Sequence, residues 1–286
     1  MRKAIALAIL LVLLQATPGF AWGFAVHRFI LTRAIEVLPR ELKPFFLRHQ
    51  AELLIRVADP DVWRDAGWED DPNHFLNFGV DEYGAYPFTA LPREYGAAIE
   101  KFGTQALRRN GLLPWRLAEE FGSLRRAFST TSRASGRGAD RGGPGNIVLF
   151  AAVAAHYIQD AYQPLHAIDN YDGQLSGNRG IHARFERDLF ARYESRVKVY
   201  PPARVRPMTN VRDAAFEALL SGYQAVGLLL RADTEALGGR RTYDDQYFET
   251  FFVKVQPMLE ERLSAAAAAT AALIVGAWEQ AGRPPL

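Results

Sequence analysis

Apolar residues recur at intervals of three and four positions along almost the whole chain, which is the spacing of amphipathic helices. The first such repeat runs from Phe24 through Leu31 and Ile35 to Leu38, and Pro39 ends it. Further helices are expected over 41–58, 93–109, 115–128, 146–162, 182–195, 211–237 and 243–280. No run alternates Val, Ile or Thr with polar residues, as a β-strand would. The pattern predicts an all-α fold, a single compact domain of about eight helices.

Three segments interrupt the helical pattern. Residues 59–90 are rich in Asp, Gly, Pro and aromatic residues, and we expect them to form an ordered loop region. A second, shorter loop is expected over 167–181. Residues 132–145 contain glycines and arginines but no apolar anchor, which predicts a flexible excursion. A solvated loop is the simplest interpretation of that excursion, and a lid or a basic contact strip is the alternative.

The N-terminal segment has the three-part pattern of a secretory signal. Arg2 and Lys3 precede an unbroken apolar run over 4–14, and small residues lead up to Ala21. The alternative, an uncleaved membrane anchor, would need roughly 20 apolar residues, which is more than this run contains. We therefore expect cleavage after Ala21 and export of residues 22–286 to the periplasm or the extracellular space.

Charge and cysteine content exclude several classes of protein. The 34 basic and 32 acidic residues give the whole chain a formal charge of +2. Residues 1–21 contain two basic residues and no acid, so residues 22–286 are formally neutral. Net charge alone therefore gives no reason to expect nucleic-acid binding. Because the chain has no Cys, disulfide scaffolds, thiolate zinc sites and cysteine nucleophiles are excluded.

The histidines and carboxylates are spaced like metal ligands. His156 and Asp160 lie four positions apart in the most apolar helical segment, so one helix face presents both. A buried, unpaired carboxylate is costly, and a cation would compensate it. His166 follows within the next turn, and His182 and Glu186 repeat the four-residue spacing. Imidazole and carboxylate ligands without thiolate favour a catalytic zinc site, while iron or manganese stays open.

The segment HYIQDAYQPLH at 156–166 resembles the signature of a superfamily that contains zinc-dependent phospholipases C and fungal-type single-strand nucleases. The similarity extends to four shorter segments: WGFAVH at 22–27, ADPD at 58–61, HF at 74–75 and HARFE at 182–186. Residues 187–286 are similar only as generic helices. His49 lies outside every one of these segments and is expected to have no ligand role.

The resemblance implies three zinc ions in one cleft. It assigns the first ion to Asp59, His74, His156 and Asp160, the second to His166, His182 and Glu186, and the third to Trp22, His27 and a bridging Asp160. Asp61 is a rival to Asp59, which we prefer because its step to His74 fits the family better. The resemblance also implies catalytic roles for Asp160, which bridges two ions, and for Asp59, which orients or deprotonates the attacking water.

Trp22 has a particular place in this interpretation. The resemblance implies that its α-amino nitrogen and backbone carbonyl bind the third zinc. An α-amino group titrates near pH 8, so it deprotonates readily to bind a metal. That group exists at Trp22 only after cleavage behind Ala21, which links the predicted signal sequence to the chemistry of the site.

The function implied by the resemblance is zinc-dependent hydrolysis of a phosphodiester. Three Zn²⁺ ions and three ligand carboxylates would leave about three positive charges in the cleft, which favours a phosphate substrate. The short step from His166 to His182 and the ADPD and HARFE segments resemble the phospholipases, which also implies peripheral contact with a membrane. The step from Trp22 to His27 resembles the nucleases.

Two residues near the expected site bear on the choice between lipid and nucleic acid. Phe75 is equally compatible with stacking on a base and with ordinary packing. Asn77 stands where the nucleases carry a base-reading Asp, and an amide offers a donor where that carboxylate offers an acceptor. We lean slightly toward phospholipase C-like activity, with a single-strand nuclease or 3′-nucleotidase as a near-equal alternative, and we infer no obligate protein partner. A non-catalytic, zinc-stabilised binding protein and a metal-free helical envelope protein are the alternatives from other classes.

Overall fold

The longest continuous elements of the described residues are two helices, Val211–Leu237 and Asp245–Gln280. We call the second of these the C-terminal helix. The side chains of Asn210 and Asp244 cap them, because each accepts a hydrogen bond from a backbone N–H in the first turn. Gly238 ends the earlier helix in the left-handed conformation. Both helices lie close to the ranges that the apolar repeat predicts.

The computed structural model describes residues 22–133 and 143–286, in which no β-strand occurs. The described residues form one compact helical arrangement, which confirms the all-α prediction. The α-helical segments are Phe24–Glu36, Lys43–Arg48, Gln50–Arg56, Asp59–Asp65, Tyr95–Phe102, Thr104–Asn110, Leu113–Arg133, Pro144–Asp160, Ile181–Ala183, Phe190–Tyr193, Val211–Leu237 and Asp245–Gln280. Single 3-10 turns and one π-helical segment complete them: Asp71–His74, Asp81–Tyr83, Pro164–Ala167, Glu194–Arg196 and, as the π-helix, Arg184–Leu189.

The described α-helical segments outnumber the eight expected for three reasons: single residues break two of the predicted helices, a π-helix divides the one expected over 182–195, and Asp59–Asp65 is an additional helix. Gly103 takes a φ of 77° and separates Tyr95–Phe102 from Thr104–Asn110, in place of one helix over 93–109. Likewise His49 leaves the helical conformation, so the helix expected over 41–58 is interrupted. Each of these two breaks depends on a single residue, and a single residue does not visibly interrupt a periodic apolar pattern.

The loop predicted over 59–90 is partly wrong. Its first seven residues, Asp59–Asp65, form an α-helix. Pro60 in the first turn lacks only a hydrogen-bond donor that would be unused there, and the acidic residues of that turn favour a helix N-terminus. The predicted signal sequence over 1–21 lies outside the described residues. So does most of the predicted excursion, whose two ends, at Arg133 and Pro144, belong to helices.

The helix Pro144–Asp160, which we call the central helix, is surrounded by other elements. Every residue from Ala151 to Asp160 is buried, as expected for a helix that is apolar all round. It packs against Leu113–Arg133, the C-terminal helix and Gln50–Arg56. Its few polar side chains are therefore buried in the interior of the protein.

The core consists of two clusters of apolar side chains. Ala155 and Ile158 of the central helix belong to the larger cluster. Trp22, Leu165 and Phe185 belong to the smaller one. The buried polar residues of the central helix thus lie next to two closely packed apolar regions. None of the described helices combines the length and apolar character that crossing a membrane requires.

Candidate metal centre

Five of the six histidines meet three carboxylates in the interior. They form three groups, two of which share His156, and in each group the possible ligand atoms lie within 4.8 Å of one another. The groups are His27, Asp61 and His156; then His74, His156 and Asp160; then His166, His182 and Glu186. All of these side chains are buried. The sixth histidine, His49, packs on the ring of Phe45 and belongs to none of these groups.

Asp160 is the centre of the arrangement because its two oxygens face different histidines. Oδ2 lies 3.0 Å from Nδ1 of His74 and 3.1 Å from Nε2 of His156. Oδ1 lies 3.4 Å from Nε2 of His27 and 3.8 Å from Nδ1 of His166. Burial opposes ionisation of Asp160, but the surrounding imidazoles, His156 first among them, hold its pKa well below the ordinary value. The geometry suits a carboxylate shared between two cations.

Asp61, and not Asp59, contributes to this centre. Asp61 is fully buried, and its Oδ1 lies 3.8 Å from Nδ1 of His74 and 4.0 Å from Nε2 of His156. The Asp59 side chain is 24% exposed and pairs with Arg56 at 3.5 Å. Residues two positions apart on an α-helix project in directions about 200° apart, so only one of the two can face the histidines. The structure therefore brings Asp61, rather than Asp59, close to these histidines, and the preference for Asp59 as ligand and as catalytic residue stays a prediction that this geometry does not support.

Several atoms of the centre have no hydrogen-bond partner among the described residues, although all are buried. They are Nε2 of His27, both carboxylate oxygens of Asp61, Oδ1 of Asp160 and Nδ1 of His166. Burial lowers the pKa of the His166 ring to about 3, so this ring is neutral and offers a lone pair. Buried polar atoms without partners require an explanation. Facing lone pairs of nitrogen and oxygen are the donor set that a divalent cation such as zinc accepts.

Most of the histidines are oriented by hydrogen bonds outside the centre. The ring-nitrogen contacts are His27 Nδ1 to Gln159 Oε1 at 2.7 Å, His74 Nε2 to Asp70 Oδ2 at 3.1 Å, His156 Nδ1 to the Val57 carbonyl at 2.8 Å, and His182 Nδ1 to the Tyr171 carbonyl at 3.1 Å. Because a carbonyl can only accept, Nδ1 carries the proton in His156 and His182. Such outer contacts fix the tautomer and direction of metal-binding histidines.

Asp70 is a functional candidate that the sequence reasoning missed. Besides His74 it accepts hydrogen bonds from the Tyr157 hydroxyl at 2.8 Å and from Nδ2 of Asn73 at 2.7 Å. Burial alone would raise the pKa of Asp70, but these contacts outweigh it and lower that pKa. Burial would likewise lower the pKa of His74, yet Asp160 and Asp70 raise it to about 9. The DDPNH segment, with Asp four positions before His, was the available signal.

The third group lies where the chain changes from α- to π-helical geometry. His182 lies in the short α-helical segment Ile181–Ala183, and Glu186 lies in the π-helix that follows, with its Oε2 2.9 Å from Nε2 of His182. Gln163, also missed, donates to the same oxygen at 3.1 Å and accepts from the backbone N–H of Leu165 at 2.6 Å. The His166 and His182 rings stack 5.3 Å apart. π-Helical turns often accompany functional sites because they redirect side chains.

Trp22 lies against the centre through its side chain. Its indole N–H donates to the Gln159 carbonyl at 3.0 Å, and its ring lies 5.7 Å from that of Phe185. The ring of His27 stacks on His156 at 4.1 Å. The predicted role of the Trp22 α-amino group stays a prediction, because the residue before Trp22 lies outside the described part of the chain.

A cleft of about 290 Å³ opens onto the centre. It is lined by Arg64, Asp71, His74, Phe75, Asn77, Arg109, Leu165, His166, Tyr171 and His182. Two guanidinium groups and two aromatic rings thus lie beside three candidate ligands. A larger groove of about 780 Å³ beside Pro39, Arg206 and Trp278 contains none of the candidate ligands. We therefore regard the smaller cleft as the functional one.

Comparison with models of known protein families and with curated proteins finds no match for this chain. The buried groups of histidine and carboxylate that could hold metal ions are therefore identified from the structure alone.

Proposed function

We propose that this chain is an exported, zinc-dependent hydrolase of phosphate esters. The observation that carries the proposal is the convergence of buried imidazole and carboxylate atoms without hydrogen-bond partners, beside a cleft that is lined by His74, His166, His182 and two arginines. Metal ions would satisfy the first feature, and an anionic substrate would explain the second.

In this proposal each ion has its own set of ligands. The first is held by Asp61, His74, His156 and Asp160, the second by His166, His182 and Glu186, and the third by Trp22, His27 and Asp160. Bound zinc supplies Lewis-acid polarisation of a phosphoryl oxygen and a water acidic enough to attack at neutral pH. Asp160 connects the first and third sets, whereas Asp59 has no role, because it lies on the outer side of its helix.

The residues of the cleft would bind and orient the substrate. Arg64 and Arg109 line the cleft and supply positive charge from which a phosphate oxygen can accept charged hydrogen bonds, although Arg64 also lies 3.4 Å from Asp61 and Arg109 lies 3.9 Å from Glu82. Phe75 and Tyr171 offer flat rings for stacking. The cleft therefore favours a single-stranded nucleic acid or a nucleotide, which reverses the slight preference for a phospholipase.

A phospholipase C remains the second candidate because of an exposed apolar surface. The helix that carries Asp61 leaves the Val62 side chain 49% exposed, and Trp68 just after it is 64% exposed. Tryptophan is enriched where membrane proteins meet the membrane–water interface. A lipid substrate would make use of such a surface, and a nucleotide would not.

A panel of substrates tests the proposal directly. Zinc-loaded protein that begins at Trp22 should hydrolyse single-stranded DNA, RNA or a 3′-nucleotide faster than phosphatidylcholine or a choline phosphodiester chromogen. His166→Ala should abolish hydrolysis while the helical circular dichroism is retained, and His49→Ala is the matched control outside the centre.

The outcomes separate the alternatives. Hydrolysis of the lipid substrates alone would favour the phospholipase. Bound zinc without any hydrolysis would support a non-catalytic, zinc-stabilised protein. Protein that retains no more than trace metal would contradict the metal centre itself.

A further inference from the structure

Gln159 connects His27 to the C-terminal helix, which supplies no candidate ligand. Its Oε1 lies 2.7 Å from Nδ1 of His27, and its Nε2 donates to Oγ1 of Thr270 at 3.5 Å. The Thr270 hydroxyl in turn donates to the carbonyl of Ala266 at 2.8 Å. All three polar side chains are fully buried. Solvent therefore cannot replace any partner in this chain of hydrogen bonds.

The chain of hydrogen bonds has only one direction that satisfies every member. The Ala266 carbonyl can only accept, so it takes the single proton of the Thr270 hydroxyl. The Thr270 oxygen can then only accept, which turns the amide N–H of Gln159 toward it. The amide oxygen must face His27, because the flipped amide would set two acceptor oxygens against each other. Nδ1 of His27 therefore carries a proton.

We propose that Thr270 and Gln159 are positioning residues that hold His27 with its Nδ1 protonated and its Nε2 free to bind a divalent cation. The inference rests on the proposed metal centre. It explains why Nε2 of His27 and Oδ1 of Asp160 face each other at 3.4 Å without a hydrogen bond between them. The carbonyl of Gln159 also holds the Trp22 indole at 3.0 Å, so one residue orients both N-terminal candidates.

This chain of hydrogen bonds from His27 through Gln159 to Thr270, which we call the relay, makes Thr270 important for metal binding although it contacts no candidate ligand directly. Without the Thr270 oxygen, the Gln159 amide is free to flip and to donate to Nδ1 of His27. The ring proton would then sit on Nε2, where it blocks coordination. Loss of a contact that orients a ligand typically weakens metal binding about 10- to 100-fold.

The experiment compares zinc binding and the histidine tautomer in the full chain. Thr270→Val should weaken one tight zinc site about 10- to 100-fold in competition with a chelator, and Thr270→Ser should restore it. Nitrogen-15 NMR of metal-depleted protein, at a pH alkaline enough to leave the ring neutral, should show the Nδ1–H form of His27 in the wild type and a larger Nε2–H fraction in Thr270→Val.

Thr250→Val is the matched control. Thr250 lies on the same helix and also donates to a carbonyl one turn back, at 2.8 Å, but it is only partly buried and that carbonyl, of Gln246, is remote from the candidate ligands. Its replacement should change neither readout.

Two further variants keep the test decisive if Thr270→Val does not fold. Gln159→Glu keeps an acceptor on His27 and should retain zinc, whereas Gln159→Leu should lose it. Unchanged tautomer and zinc affinity in Thr270→Val, or in Gln159→Leu where Thr270→Val does not fold, would overturn the relay and leave the metal centre standing. A wild-type protein that binds no zinc would instead overturn the proposed function.

Discussion

Asp61 and Asp59 show that the direction of a side chain decides whether it can contribute to the candidate metal centre. Both are acidic residues in the first turn of the same short helix. Asp61 is fully buried and faces two histidines, while Asp59 pairs with Arg56 at the surface. Their chemistry is identical, so only the face of the helix distinguishes a candidate ligand from a surface ion pair. This difference can be measured.

Asp61→Asn should weaken zinc binding by about 10-fold or more, because a carboxylate is lost from a site that concentrates positive charge. Asp59→Asn should leave zinc binding unchanged within about 2-fold, because exposed ion pairs contribute little. Competition with a chelator, followed by metal analysis, measures both. The reverse order of effects would restore the assignment to Asp59.

His74 should make the stability of the metal-depleted protein depend on pH. Its folded-state pKa of about 9 lies above the ordinary value of 6.5. The protonated form is therefore favoured by folding, and its contribution is complete below pH 6.5 and lost as the pH rises through about 9. Zinc must displace this proton, so zinc affinity should rise over the same interval.

Urea unfolding of chelator-treated protein across this pH interval measures the first effect. The free energy of unfolding should fall toward alkaline pH in the wild type and much less in His74→Gln. Equal pH dependence in the two proteins would show that His74 does not carry a raised pKa.

At the scale of elements, the apolar repeat predicts the long helices well but not the short ones. The central helix, the C-terminal helix and Val211–Leu237 follow the predicted ranges closely, because each has several turns of apolar residues. Asp59–Asp65 has too few residues for a repeat to be visible, and it is the helix that supplies Asp61. Apolar side chains hold the helices together, and at one point the C-terminal helix also approaches a neighbouring backbone so closely that only glycine fits.

Gly276 lies where the C-terminal helix meets an extended segment. A Cβ at Gly276 would lie 2.0 Å from the carbonyl oxygen of Met208, whose N–H bonds to the Ala272 carbonyl at 2.9 Å. Gly276→Ala should therefore lower the free energy of unfolding by about 1–3 kcal/mol, despite the better helix propensity of Ala. Gly227 is exposed and helical, and its Cβ would meet only the flexible end of Arg231.

Gly227→Ala is accordingly the matched control, and it should raise the free energy of unfolding by about 0.5–1 kcal/mol. Denaturant titration of the two variants measures both changes. Stabilisation by both substitutions would contradict the close approach of Met208 to the C-terminal helix.

At the scale of the whole molecule, the candidate centre joins segments that lie far apart in the sequence. Trp22 precedes the first helix and His27 lies within it, while Asp61 belongs to the helix Asp59–Asp65 and His74 to the 3-10 turn that follows. The remaining candidates belong to the central helix and to the segment that follows it. Their convergence depends on the packing of both apolar clusters, so metal binding and folding should be coupled.

The N-terminus offers a test at this scale. Protein that begins at Trp22 should bind one more zinc ion than protein that carries any residue ahead of Trp22, because the extra peptide bond removes the basic amino nitrogen. Metal analysis and hydrolysis rates of the two forms provide the measurement. Equal zinc content and full activity in the extended form would contradict the role of the α-amino group.

Local patterns determined the fold class and most of the residue types of the candidate centre. Helical periodicity depends only on residues three or four positions apart in the chain. The four-residue steps from His156 to Asp160 and from His182 to Glu186 bring the two side chains of each pair together on one side of the chain. The absence of cysteine limits the ligands to nitrogen and oxygen. These properties can be predicted without knowing which helices pack against each other.

The tertiary structure alone decided which acidic residue of the ADPD segment faces inward, and it placed Asp70 behind His74 and Thr270 behind Gln159. These contacts join residues from different helices or turns, and their hydrogen-bond directions are set by burial, where every donor and acceptor competes for few partners. No local repeat encodes such a choice, because it depends on which surfaces meet when the two apolar clusters close around the site.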